Sequence, residues 1–205
     1  MCIRDRISLT AFYKLIKNPI SRIEVASAGG YLSYENIADK ATVAGVEVEV
    51  RKNLFVRPLS SAANGMNKLS FGLNGSYIYT NAKMPLATVT TGSQLEGAAP
   101  WIANFDLSHN FTKGTHSFIN TLVFNYVSDK IYTIGTQGYQ DIIEQGMMTL
   151  DFVSQAKLNK YVSLTLKARN LLNPSYKLSR KANESGEKVV LSDYKKGINI
   201  SLGVS

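Results

Sequence analysis

The chain has 205 residues, of which 23 are Lys or Arg and 15 are Asp or Glu, so its formal net charge at pH 7 is +8. Its mean hydropathy is −0.07, and no run approaches the ~20 consecutive apolar residues that a membrane-spanning helix needs. These values exclude a helical membrane protein, but not a membrane β-barrel, whose strands are apolar on one side only. The basic residues are scattered, which argues against a nucleic-acid partner.

The first six residues, MCIRDR, fit neither a signal peptide nor the start of a fold, because no apolar segment follows them. We interpret residues 1–6 as a non-native scar and expect the fold proper over residues 7–205. We also expect the true N-terminus to be missing, since an exported protein needs a signal. The single cysteine, Cys2, excludes a disulfide framework.

Four segments in the first half alternate apolar and polar side chains with the period of two that indicates a half-exposed β-strand. Their apolar positions are Ile7, Leu9, Ala11 and Tyr13, then Val46, Val48 and Val50, then Leu69, Phe71, Leu73, Tyr77 and Tyr79, then Trp101, Ala103, Phe105, Leu107 and Phe111. The pattern predicts strands with one apolar and one polar face.

Four further segments complete the chain. Their apolar positions are Phe118, Leu122, Phe124 and Tyr126, then Met148, Leu150 and Phe152, then Val162, Leu164, Leu166 and Ala168, then Ile198, Ile200, Leu202 and Val204. Roughly 9–15 residues fit each strand, and ~9–11 suffice to cross an outer membrane when tilted. We predict an all-β fold, an antiparallel up-and-down transmembrane β-barrel fragment of about eight long strands.

The connections alternate in length. Short turns lie at 112–115 and 159–161, and Leu54–Lys68 is intermediate. The long connections are Ile16–Asp39, Ala82–Ala99, Ile134–Gly146 and Leu178–Asp193. Short periplasmic turns and long extracellular loops are typical of barrels in the outer membrane of Gram-negative bacteria.

Turn lengths predict the register of two hairpins. A two-residue turn at Lys113–Gly114 places Trp101 opposite Tyr126 and Phe105 opposite Leu122. At the next turn, the parity of the apolar positions predicts a loop of three or five residues around 159–161, with Asn159 or Lys160 at positive φ.

Aromatic residues gather near the segment ends: Tyr77, Tyr79, Trp101, Phe111, Tyr126, Tyr132, Tyr161, Tyr176 and Tyr194. Rings with a polar edge favour the membrane–water boundary, so we predict interfacial girdles. The alternative is a soluble β-fold that binds a small molecule, with the aromatics in its core. Charges of both signs on the polar sides of long strands favour the barrel.

Three stretches resemble the TonB-dependent receptor family. Asn36 followed by Ala41–Glu49 is similar to a family segment in which an Asn precedes an A-x-x-x-G-V-E strand. Ala168–Asn173 with Tyr176 is similar to the penultimate-strand pattern N-L-[LF]-[ND]-x-x-Y, and Leu95–Pro100 resembles the loop before a descending strand. Such receptors usually end on an aromatic residue, so we also expect a few residues to be missing after Ser205.

The resemblance implies the C-terminal portion of a receptor barrel for TonB-energised uptake of a nutrient such as a siderophore, vitamin or glycan. Its partners would be outer-membrane lipid, its own plug domain, TonB through a missing N-terminal region, and the small-molecule or glycan ligand. Inward charges would line the lumen, where a solvated wall is their simpler role: Glu47, Glu49, Arg51, Asp106, Asp151, Lys167 and Arg169. In the long loops, ligand contact is expected from Tyr31, Tyr34, Tyr139 and Gln140.

No residue pattern indicates catalysis, and we expect no enzyme, no cofactor and no metal site. His109 and His116 flank one hairpin without being opposite each other, and two His residues without nearby carboxylates make a poor metal site. The second hypothesis is a complete small eight-stranded barrel with a structural or adhesion role, and the third is the soluble β-fold.

Overall fold

The structure, a computed structural model, describes residues 5–25, 31–59, 65–82, 94–136, 138–182 and 186–205. Eight strands in these residues form one sheet, called the wall here. In the order of the sheet they are β1 (Arg6–Lys17), β4 (Lys40–Leu59), β5 (Gly65–Ala82), β6 (Trp101–Lys113), β7 (His116–Val127), β10 (Met147–Lys157), β11 (Ser163–Arg169) and β14 (Asn199–Val204). No helix in the described ranges is long and apolar enough to cross a bilayer.

All neighbours in the wall are antiparallel, and the eight predicted strands are its eight members. The all-β antiparallel prediction is therefore confirmed. β4 (20 residues) and β5 (18 residues) are longer than expected, whereas β11 (7 residues) and β14 (6 residues) are shorter. In the described residues β1 and β14 are opposite edges of the sheet and do not pair, so the wall is open.

The wall has an apolar face and a polar face, as the alternation predicts. Val50, Leu73, Phe105, Phe124 and Leu150 are successive cross-strand partners and form one row of the apolar face. Among the residues that the structure describes, no second layer covers this row: Leu73 is 44% exposed and Phe105 36%. Side chains that were burying a shared core would not be this exposed, which agrees with a lipid-facing surface.

The register predicted for the β6–β7 hairpin is wrong, because the turn lies one residue later in the chain than predicted. The turn is Gly114–Thr115, with Lys113 opposite His116, so Ala103 faces Tyr126 and Phe105 faces Phe124. Gly114 has φ +59° and takes the first central position of the turn rather than the second. Apolar still pairs with apolar because a two-residue shift of partner preserves the parity of the strand.

The β10–β11 loop has the predicted odd length but not the predicted conformation. Lys157 pairs with Ser163, which leaves the five residues 158–162 in the loop. Asn159 and Lys160 do not have positive φ. Instead, Oδ1 of Asn159 accepts hydrogen bonds from the backbone N–H groups of Tyr161 (2.8 Å) and Val162 (2.9 Å). The side chain of Asn159 thus stabilises the turn without a left-handed backbone.

Six short strands lie within or beside three of the long connections, which were predicted as loops. They are β2 (Ile20–Glu24), β3 (Leu32–Asn36), β8 (Lys130–Thr133), β9 (Ile142–Glu144), β12 (Ser175–Lys181) and β13 (Lys188–Lys195). β2 and β3 form a hairpin, and the other four form a sheet in the order β13-β12-β9-β8. We call these strands and segment 94–99 the loop layer. Tyr132, Tyr176 and Tyr194 belong to it, and not to a girdle of the wall.

The intermediate connection Leu54–Lys68 is mostly strand. β4 continues to Leu59 and β5 begins at Gly65; residues 60–64 lie outside the described ranges. The register shifts between Asn53 and Phe55, so Leu54 has no partner. A bulge of this kind inverts the alternation partway along a strand, which is why the sequence pattern ended there.

The loop layer packs on the polar face at the long-loop end of the wall. Ala41 and Ala82 are cross-strand partners on that face, and each is 1% exposed. They share one apolar cluster with Ile23 and Ile131 of the loop layer and with Ile134, the residue after β8. This cluster is where the described part of the chain buries its core, and it anchors the loop layer over one end of the polar face.

Candidate functional site: the polar face and the loop layer

The seven charged residues predicted for a lumen all lie on the polar face of the wall. They are Glu47, Glu49 and Arg51 in β4, Asp106 in β6, Asp151 in β10, and Lys167 and Arg169 in β11. Their cross-strand partners are mainly small or polar, for example Ser76 opposite Glu47 and Asn199 opposite Arg169. That this face lines a lumen remains a prediction.

Three of these charges, Glu49, Arg51 and Asp106, lie with Arg6 near the short-turn end. Arg51 Nε donates a 2.7 Å hydrogen bond to Glu49 Oε1, and Arg6 Nη2 lies 3.5 Å from Glu49 Oε2. Gly72 separates Arg51 from Asp106 in the register, and a Cβ on Gly72 would lie 2.3 Å from Oδ1 of Asp106. Because Gly72 has no side chain, the Asp106 carboxylate can extend across β5. Arg6, Arg51 and Asp106 are among the residues that line a cavity of about 710 Å³.

The N-L-L-N stretch, Asn170–Asn173, holds the start of the β11–β12 connection. Both asparagines have positive φ, +58° and +43°, a conformation that Asn tolerates better than most residues. Asn170 Nδ2 donates to the carbonyl of Gly197 (2.7 Å), and the Gly197 N–H donates to Oδ1 of Asn173 (3.0 Å). Oδ1 of Asp151 accepts from the Asn170 N–H (2.8 Å). These hydrogen bonds connect the N-L-L-N stretch to Gly197, which lies just before β14.

Ion pairs join the parts of the loop layer across long sequence separations. Arg22 in β2 pairs with Glu96 (3.5 Å), and Glu24 in β2 pairs with Arg180 in β12. All four side chains are largely buried, between 15% and 22% exposed. Charges this far from water stabilise a structure only when they are paired, so the two bridges fix β2 against its neighbours.

The four residues predicted to contact ligand lie in the loop layer or beside it. Tyr34 in β3 is opposite Arg22, whose guanidinium carbon is 5.8 Å from the ring, and Tyr139 lies 5.5 Å from the guanidinium carbon of Arg180. Tyr34 and Tyr139 are therefore both connected to β2, the second through the Glu24 bridge. Tyr31 precedes β3 and is 70% exposed. Gln140 follows Tyr139 and is half-buried.

A second cluster of polar side chains in the loop layer surrounds Glu144 of β9. Its Oε1 lies 3.1 Å from Lys130 Nζ, and its Oε2 accepts from the Tyr176 hydroxyl at 3.3 Å. Burial, followed by the negative charge of Glu144, raises the pKa of the Tyr176 phenol to about 12. In β13, a hydrogen bond from Lys177 lowers the pKa of the Asp193 carboxyl.

Sequence reasoning missed Arg22, Glu24, Glu96 and Arg180. In β2, Ser21 and Ile23 are buried and alternate with Arg22 and Glu24, which is a strand signal too short to recognise by itself. Their partners are 74 and 156 positions away, and no local pattern encodes a pairing of that kind. No group of three or more His, Cys, Asp or Glu that could hold a metal occurs in the residues described.

Comparison with known proteins gives one match. The family model described as TonB dependent receptor-like, beta-barrel matches residues 4–171, which is well over half of the chain. The search of curated proteins and the search of solved structures each found no match. The matched range includes seven wall strands, β1 to β11, and ends within the N-L-L-N turn.

Proposed function

The chain belongs to the TonB-dependent receptor β-barrel family, and we propose that it forms part of the barrel wall of a receptor for a small nutrient. Members of this family are transport proteins of the Gram-negative outer membrane and are not enzymes, so its location and general role follow from membership. The proposal concerns the extent of the barrel, the ligand and the partners.

The two free edges of the wall support its being a section of a larger barrel. Within the described residues β1 and β14 do not pair. Unpaired backbone groups cannot remain in hydrocarbon, because each costs several kcal/mol there. Further strands would complete the ladder, and we assign residues 7–205 to the C-terminal portion of such a barrel. A plug domain and the TonB-contacting segment would lie elsewhere in the full receptor.

The polar face supports the role of a lumenal surface. Its charges are partly neutralised by one another, as in the Arg6–Glu49–Arg51 group. They lie beside a cavity of about 710 Å³ near the short-turn end, whose lining includes Arg6, Arg51 and Asp106. A plug domain with complementary polar groups, or water, would fit this surface, whereas a dry core would not.

The exposed tyrosines support ligand capture by the loop layer. Tyr31 is 70% exposed, Tyr34 65% and Tyr139 45%. Aromatic faces stack on sugar rings and on planar chelates, and their hydroxyls add polar contacts. A siderophore, vitamin or glycan is the ligand class that this surface fits, and TonB would supply the energy for its uptake.

Ligand binding and uptake by the intact receptor test the proposal. Candidate ferric chelates, vitamins and oligosaccharides are titrated onto the wild type and onto a Tyr34→Ala/Tyr139→Ala variant. The control is Tyr161→Ala, because Tyr161 is 75% exposed but lies in the short β10–β11 loop at the opposite end. We expect binding to weaken about tenfold or more in the double variant only, with uptake lost in cells without TonB. Equal loss in the control, or uptake that persists without TonB, contradicts the proposal.

A further inference from the structure

Polar side chains interrupt the apolar face of the wall near the short-turn end. Asn67, His109, Asn120 and Ser154 share this face, as their parity with Leu69, Leu107, Leu122 and Phe152 shows. His109 is the cross-strand partner of Asn120, which is the partner of Ser154. We call these four residues the polar row. On a surface that faces lipid, polar groups are costly and mark functional positions.

Apolar residues enclose the polar row on both sides. Toward the long loops lies the Leu107–Leu122 pair, and toward the turn lie Phe111 and Phe118, whose rings are 6.4 Å apart. His109 is five positions before Gly114, which places the row on the order of 10 Å from the turn along the membrane normal. The row therefore lies at the level where hydrocarbon meets the headgroups of the periplasmic leaflet.

Two hydrogen bonds satisfy part of the polar row. Nε2 of His109 lies 2.8 Å from Oδ1 of Asn67, and the Ser154 hydroxyl donates to Oδ1 of Asn120 at 2.7 Å. Each asparagine has then used its oxygen, and its Nδ2 group has no acceptor in the part of the chain that the structure describes. Two amide donors of the row thus lack an acceptor within the described residues, and on a lipid-facing surface, where water is scarce, such donors need one.

The charge around the row is positive. Arg57 is the cross-strand partner of Asn67, and its guanidinium carbon lies 5.5 Å from the ring of Phe55 on the same face. Lys113 faces the same way at the turn. Asp5 is the one acidic residue on this face at the short-turn end within the described residues, and it pairs with Lys52 (3.7 Å).

We propose that the polar row, together with Arg57, binds the phosphate of an anionic phospholipid in the periplasmic leaflet. The two Nδ2 groups would donate to phosphate or ester oxygens, and Arg57 would supply the charge. Arginine matches phosphate geometry well, and basic sites at the membrane boundary commonly hold anionic headgroups. The inference needs the outer-membrane location of the wall and is independent of which nutrient is imported.

Native mass spectrometry of the intact receptor in detergent tests the proposal, with phosphatidylglycerol as the probe and phosphatidylcholine of the same acyl chains as the comparison. The variant Asn67→Leu/Asn120→Leu removes both free donors. The matched control is Asn81→Leu, which makes the same change on the same face at the long-loop end. We expect about tenfold weaker phosphatidylglycerol binding in the double variant, no change in the control, and a wild-type preference for phosphatidylglycerol.

Arg57→Gln keeps the test decisive if the double variant fails to fold, because Arg57 is an exposed side chain near the end of β4. This variant should lose the preference for phosphatidylglycerol over phosphatidylcholine while it keeps its heat-modifiable mobility on gels. Unchanged lipid affinity in a folded variant overturns the proposal, as does equal binding of the two lipids by the wild type. Displacement of phosphatidylglycerol by millimolar inorganic phosphate would also overturn it, because the site would then be one for free anions.

Discussion

Arg180 of β12 forms an ion pair with Glu24 of β2 across 156 positions of sequence, and this pair connects the first long connection of the chain to the last. The same strand is also bonded to the residue after β8, since the Glu24 N–H donates to the carbonyl of Ile134. Because β2 is held by both contacts, the loop layer should respond as one unit when either is removed.

Glu24→Gln should loosen β2 without unfolding the wall. The substitution leaves the Arg180 charge, 15% exposed, without its counter-ion, and the loss of a charged hydrogen bond costs about 2 kcal/mol. Amide hydrogen exchange in β2 and β3 should accelerate roughly 30-fold, with little change in β5 and β6. If removing both partners with Glu24→Gln/Arg180→Met costs as much as the sum of the single changes, the pair is not coupled.

Asn170 should tolerate glycine better than alanine. Alanine loses the hydrogen bond to Gly197 and also meets the left-handed backbone at φ +58°, for a total of about 2 kcal/mol. Glycine loses the hydrogen bond only, about 1 kcal/mol. Urea unfolding in phospholipid vesicles measures both values, and equal losses would show that the backbone conformation is not the reason for Asn at this position.

Gly72→Ala should destabilise the wall through Asp106. The new Cβ would lie 2.3 Å from the carboxylate, which must then withdraw from the Arg51 side of β5. We expect a loss of about 1–2 kcal/mol. Gly75→Ala in the same strand has nothing within 4 Å of its Cβ and should be neutral. In an Asp106→Ala background the cost of Gly72→Ala should disappear; an unchanged cost there refutes the steric explanation.

Alkaline pH should weaken the loop layer through Tyr176. The pKa of this phenol in the folded protein is about 12, above its ordinary value of 10.0, so the folded state favours the protonated form. The contribution of this pKa shift to the free energy of unfolding is fully present below pH 10 and is lost as the pH rises toward 12. Glu144→Gln should lower the pKa of Tyr176 only in part, because burial is the larger cause. Absorbance titration of the phenolate, with Tyr176→Phe as reference, measures the shift.

The strands of the wall could be predicted because the alternation of apolar and polar residues is a signal within each segment. Alternation at Val46–Val50 and at Leu69–Leu73 identified strands and faces without knowledge of their partners. The β6–β7 register was misjudged because Gly114 suits either central position of a two-residue turn, and only the cross-strand contacts decide between them. The bulge at Leu54 hid the end of β4, since it inverts the alternation on which the prediction rests.

The loop layer was not predictable from the sequence. Its strands are 3 to 8 residues long, too short for periodicity to distinguish them from loops. They are held by distant contacts, such as Arg22 with Glu96 and with the Tyr132 ring at 4.3 Å. Tyr34 and Tyr139 were chosen as ligand-contact candidates by residue type alone, and this remains a prediction. The arginines beside them, Arg22 and Arg180, had no local signal.

Accessibility of paired positions in β5 and β6 tests most directly whether the apolar face meets lipid. Spin labels are placed at Leu73 and Phe105 on the apolar face and at their neighbours Asn74 and Asn104 on the polar face, with Cys2 replaced by serine and the intact receptor in vesicles. Labels at Leu73 and Phe105 should relax with oxygen dissolved in lipid, and labels at Asn74 and Asn104 with a water-soluble nickel chelate. Protection of Leu73 and Phe105 from both agents would mean that this face is buried in protein, and the membrane-wall account would be wrong.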